Sequence, residues 1–103
     1  MPDDLNALLA AVWQKNLQQV QARLELLDQV AAQAATTHPF PEALRDEAIA
    51  IAHKLAGSLG MFGYMRGTEI TRELEVFLHE DDPDPTRLTQ LTRDLRAAVF
   101  PPQ

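Results

Sequence analysis

Cysteine is absent from the chain, which removes a disulfide framework, a thiolate metal site and a thiol nucleophile at once. That argues against a small disulfide-stapled secreted module. No apolar run approaches the ~18 residues a membrane-spanning helix needs. The opening segment, MPDDLNALLAAVW, carries two acids where a secretory signal would be basic. Positive charge is in the minority: nine Lys and Arg face fifteen Asp and Glu, for a net charge of −6. Such a chain repels phosphate backbones at long range, so nucleic acid is set aside as a partner, and so is a membrane. Glycine is scarce too. There are four in 103 residues, and Gly57, Gly60 and Gly63 share one short stretch, with Gly67 just beyond it. The expectation is a soluble, cytoplasmic protein of one domain, with one modest core.

What is present is helical periodicity almost throughout. From Asp3 to about Ala35, the residues Leu5, Leu8, Leu9, Val12, Trp13, Leu17, Val20, Leu24, Leu27 and Ala31 recur at threes and fours on one buried face, which predicts one long helix in preference to two broken near the polar Gln14–Asn16. Asp3 and Asp4 fall where a cap and a first-turn acid belong. TTHPFPE stops the helix, because Pro39 and Pro41 cannot continue it. A second helix starting near Pro41 or Glu42 carries Leu44, Ala48, Ile51, Ala52, Leu55 and Leu59 as its core stripe. A third, from Tyr64 or Met65 to His79, buries Ile70, Leu74, Phe77 and Leu78. EDDPDPT reads as a solvated turn with Asp84 as N-cap and Pro85 at the first helical position. The last helix presents Leu88, Leu91, Leu95 and Val99. No segment alternates with strand period, so the fold class is all-α: an antiparallel four-helix bundle over residues 1–100, with 101–103 a tail or the start of a linker.

The glycine-rich stretch, AHKLAGSLGMFGY from Ala52 to Tyr64, holds one histidine. At about 100° per residue, Leu44, Ile51, Leu55 and Leu59 lie roughly 160–240° from His53, so the imidazole points away from the core stripe. On its own face stand Ile49, Ala50, Ala56, Gly57 and Gly60, which apart from Ile49 are as small as residues come. Glycine within a helix costs about 1 kcal/mol relative to alanine. Gly57 is therefore unfavourable locally unless a second macromolecule must come close to the ring.

These residues resemble the signature of the histidine-containing phosphotransfer (HPt) domain, which reads roughly A-H-x-L-K-G-S-x-x-x-x-x-G. Ala52, His53, Leu55, Gly57, Ser58 and Gly63 match in order and spacing. The resemblance implies a four-helix phosphocarrier in which His53 accepts a phosphoryl group from a receiver-domain aspartate or a kinase and passes it on. It implies that Gly57, with the small residues Ala56 and Gly60 on the same face, admits the receiver, and that Ser58 supports the local structure or a hydrogen bond near the site. Exposed apolar residues around His53, Ile49 above all, are expected to form the docking patch. One departure stands out. The family usually has lysine three residues after the histidine, where this chain has Ala56; Lys54 projects about 100° round the helix from His53, and its long stem is expected to bring the ammonium towards a phosphoryl oxygen in its place.

The chemistry asks for little beyond the ring. A free imidazole is largely neutral at pH 7 and attacks phosphorus through a ring nitrogen, Nε2 by the resemblance. The in-line geometry and charge neutralisation of phosphoryl transfer find no metal site or phosphate loop in the sequence around His53. The resemblance implies that they come, with Mg²⁺, from the receiver, so no cofactor is expected on this chain and no turnover of its own. Two alternatives share the fold: an adaptor that binds receivers without phosphorylation, and a dimerisation module in which the long first helix pairs with a copy of itself. His38 and His79 lack metal-ligand spacing and read as structural. Trp13 reads as core, and Met61 and Phe62 as either docking or packing residues.

Overall fold

The computed structural model describes residues 2–100, with residues 2 and 3 described by backbone alone. Four helices account for most of it: α1 (Pro2–Ala34), α2 (Glu42–Met61), α3 (Met65–Leu78) and α4 (Pro85–Val99). The first apolar stripe is one continuous helix. It begins at Pro2, so Asp3 and Asp4 fall inside its first turn; the side chain of Asp3, like the tail 101–103, lies outside the described residues. Packing joins α1 to α2, α2 to α3, α3 to α4 and α4 back to α1, an up-down-up-down ring closed around one core.

The breaks follow local chemistry. Gly63, at φ +80°, ends α2 with a pair of closing hydrogen bonds, Tyr64 N donating to Leu59 O at 2.9 Å and Gly63 N to Gly60 O at 3.3 Å. This left-handed C-cap is most accessible to glycine, and it turns the chain into α3 within three residues. At the other end of the bundle Asp84 Oδ1 accepts from Thr86 N at 2.9 Å with Pro85 beginning α4, the expected cap. The acidic turn before it does more than face solvent. Asp82, at φ +48°, accepts from Phe40 N at 2.9 Å through Oδ1 and lies 3.3 Å from His38 Nε2 through Oδ2. The α1–α2 and α3–α4 connections are thereby tied together.

Every expected core residue of α3 and α4 is buried, and so are Ala48, Ile51, Ala52, Leu55 and Leu59 of α2, whereas Leu44 is covered only in part. Two threonines, Thr71 and Thr92, are wholly buried. Each hydroxyl donates back to a carbonyl of its own helix, Thr68 O at 2.7 Å and Leu88 O at 2.8 Å, so neither burial leaves an unpaired donor.

The correction comes in α1. Its stripe is buried from Val20 onward, but Leu5, Leu8, Leu9 and Val12 are 49–61% exposed. The three shorter helices end near Trp13, which stacks on Tyr64 (centroids 5.4 Å apart) and meets Phe62 edge-on at 4.9 Å. At 1.5 Å per residue, the eleven residues before Trp13 overhang by roughly 16 Å. Among the described residues nothing stands opposite them.

Candidate functional site

His53 sits mid-way along α2 with 83% of its side chain exposed. The core stripe of α2 faces inward through Ala52 and Leu55, which turns the neighbouring position outward. The ring is not isolated. Its Nδ1 lies 3.7 Å from Glu75 Oε1 on α3, too long for a hydrogen bond but close enough for an electrostatic hold. Among the described residues Nε2 has no partner.

The ground beside the ring is open. A Cβ added at Gly57 would meet nothing within 4 Å, and one at Gly60 only Thr68 Oγ1 at 4.0 Å. Beyond Gly60, a surface depression of about 260 Å³ runs between α2 and α3, lined among others by Gly60, Thr68, Glu69 and Arg72. The contacts of His53 with Glu75 and of Gly60 with Thr68 set the antiparallel register of the two helices. Ala56, one turn after His53, therefore lies level with Arg72, one turn before Glu75.

The remaining expected site residues are distributed as follows. Lys54 is exposed and enters no ion pair among the described residues. Ser58 points to α1, where its Oγ accepts from Arg23 Nη1 at 3.2 Å, so its hydroxyl ties two helices below the site. Ile49 is half-buried, packed against the core, and so gives the expected docking patch only part of its surface. Ala56 is half-buried and Gly60 exposed, both on the face of the ring. Met61 stands out at 79% exposure, while Phe62 packs on Trp13. His38 and His79 are exposed; His38 lies in the α1–α2 connection, and His79 caps α3 one turn after Glu75.

Glu75 and Arg72 were missed by reading the sequence. Each lies about twenty residues from His53, and only the α2–α3 register brings them alongside. The one available signal was their place on the solvent-facing flank of an amphipathic helix that follows the histidine helix after a tight turn.

A protein-family model for the Hpt domain matches residues 1–99. The chain belongs to the Hpt domain family. No curated protein and no solved structure matches it. Hpt domains are phosphocarrier modules, so family membership supports a phosphotransfer role in phosphorelays and interaction with receiver domains or kinases of two-component systems. In this Hpt domain none of the helices among the described residues is long and apolar enough to cross a membrane.

Proposed function

We propose that this Hpt domain carries a phosphoryl group on His53 Nε2, taking it from a receiver aspartate or a kinase and returning it to a receiver aspartate. The observation that carries the reading is the arrangement of the ring: exposed, approached on Nδ1 by Glu75, without a partner at Nε2 among the described residues, and flanked by the open ground over Gly57. A carboxylate beside Nδ1 favours the tautomer with its proton there, which leaves the lone pair on Nε2. As Nε2 attacks, the N–P bond forms and the aspartyl P–O bond breaks. The carboxylate leaves with the electron pair, and the ring, still protonated at Nδ1, becomes cationic. Glu75 faces that developing charge. The reverse transfer retraces these steps.

The transferred group carries negative charge that this face must tolerate. Ala56 supplies none of the usual countercharge. Arg72 stands level with it on α3 and enters no ion pair among the described residues, so its flexible guanidinium takes the role in place of a lysine on α2. Lys54 is the weaker contributor, since it projects to the side of the ring away from α3. Mg²⁺ and the in-line catalytic groups are supplied by the receiver, and the Hpt domain turns over nothing by itself.

The test is transfer of labelled phosphate from a pre-phosphorylated receiver, with Mg²⁺, to the protein and to His53→Gln. Acid-labile, alkali-stable label on the first and none on the second is the expected result. Arg72→Ala slows transfer more than Lys54→Ala. Glu75→Gln slows it by roughly fivefold, equivalent to the ~1 kcal/mol of an exposed ion contact, with receiver affinity unchanged. Receivers that bind but transfer no label to the wild type would replace the carrier with a phosphorylation-independent adaptor.

A further inference from the structure

The apolar face on the overhang of α1 is self-complementary, and we propose that it pairs antiparallel with the same segment of a second copy of this chain. Leu5, Leu8, Leu9 and Val12 are exposed at 57%, 61%, 58% and 49%, and they fall within an arc of roughly 100° on the helix. A twofold axis between Leu8 and Leu9 sets Leu5 of one copy against Val12 of the other and Leu8 against Leu9. Each side chain then has an apolar partner, and the interface is isologous.

Charge selects the direction. Asp4 and Lys15 lie eleven residues apart, within about 20° of each other round the helix and on one flank of the apolar arc. In an antiparallel pair the like flanks of the two helices meet. Asp4 of each copy then lies about 3 Å along the axis from the level of Lys15 of the other, within reach of a lysine stem. Two such pairs frame the seam. A parallel pair would instead set the Asp4–Lys15 flank of each helix against the opposite flank of the other, where Asn6 and Trp13 offer no countercharge, and would bring two helix N-termini together. The occupant is a second copy because both the apolar register and the charges are satisfied by the segment itself.

Four apolar side chains per copy form a patch well short of the about 800 Å² per partner of a standard interface. The dimer is accordingly weak and concentration-dependent. It engages α1 no further than Lys15 and uses neither His53 nor the ground over Gly57, so it stands independently of the phosphocarrier reading.

The experiment is sedimentation velocity of the full chain over a roughly hundred-fold range of concentration. A monomer–dimer equilibrium is expected, with Leu8→Lys lowering the association constant by about tenfold or more. Helix content by circular dichroism should be unchanged, because the position is already exposed. Asp4→Lys and Lys15→Asp should each weaken association, and the double variant should restore it. As the chain has no cysteine of its own, single cysteines report the direction. Leu5→Cys mixed with Val12→Cys should cross-link on mild oxidation, and Leu5→Cys alone should not. Three outcomes overturn the proposal: a monomer at every concentration, which would leave the face to a different protein; a dimer indifferent to Leu8→Lys; or preferential Leu5→Cys self-linking, which would mean a parallel pair.

Discussion

Gly57 and Gly67 are both helical glycines, and their surroundings give opposite reasons for being so. A Cβ at Gly57 meets nothing, so the folded chain does not need glycine there. Gly57→Ala should raise stability by about 0.5–1 kcal/mol through helix propensity alone, seen as a higher midpoint in thermal melting. A large residue, Gly57→Trp, should leave the melt near that of wild type while sharply reducing phosphate transfer from a receiver. An equal loss of stability and transfer would contradict a role in clearance. At Gly67 the same Cβ lies 3.1 Å from Leu59 Cδ1, 3.5 Å from Val99 Cγ2 and 3.6 Å from Tyr64 Cβ. Gly67→Val overpacks that junction and should cost about 1–3 kcal/mol in urea unfolding. Tyr64, beside it, is the only tyrosine, and burial raises its pKa from the usual 10.0. The folded state holds the phenolic proton more tightly than the unfolded state. Its contribution to stability is therefore complete below pH 10 and is lost as pH rises through the folded-state value. Tyrosinate absorbance should titrate above 10.0 in the native protein and at about 10 in urea. Coincident curves would count against the burial effect.

Among the elements, the connections are as specific as the helices. The tie from Asp82 to Phe40 N–H serves a residue that is 5% exposed, so removing the acceptor strands a donor where little water reaches. Asp82→Ala should cost about 1–3 kcal/mol, whereas Asp82→Asn, whose carbonyl oxygen still accepts, should cost much less. Chemical denaturation of the two variants separates acceptor loss from backbone effects at a positive φ. At the opposite end, Trp13 binds α1 to the α2–α3 turn through Tyr64 and Phe62. It is the only aromatic residue of α1, and the large apolar side chains before it, Leu5, Leu8, Leu9 and Val12, are exposed. The ion pair Arg96–Asp28, at 2.8 Å, joins α4 to α1, but both side chains are more than a third exposed, so it adds little to the packing of Leu91 and Leu95 on that seam.

On the scale of the whole molecule, the helices and their breaks were readable from spacing and punctuation. Apolar residues at threes and fours mark a face, and Pro39, Pro41, Gly63 and the Asp84–Pro85 pair mark the ends, because both effects act within a turn of helix. The outward direction of His53 was readable on the same ground. Spacing names a face without saying whether another element lies opposite it. Leu5, Leu8, Leu9 and Val12 continue the stripe of Val20 and Leu24 in sequence, yet the partner helices end at Trp13. Only the relative lengths and offsets of the four packed helices decided that. The tertiary structure also decided that Glu75 stands at Nδ1 of His53, that Arg72 lies level with Ala56, and that Ser58 turns to Arg23. These pairings depend on how side chains of different helices interlock and on the angle of the Gly63 turn. They are interactions between residues far apart in the chain, and a pattern with a period of 3.6 residues carries no record of them.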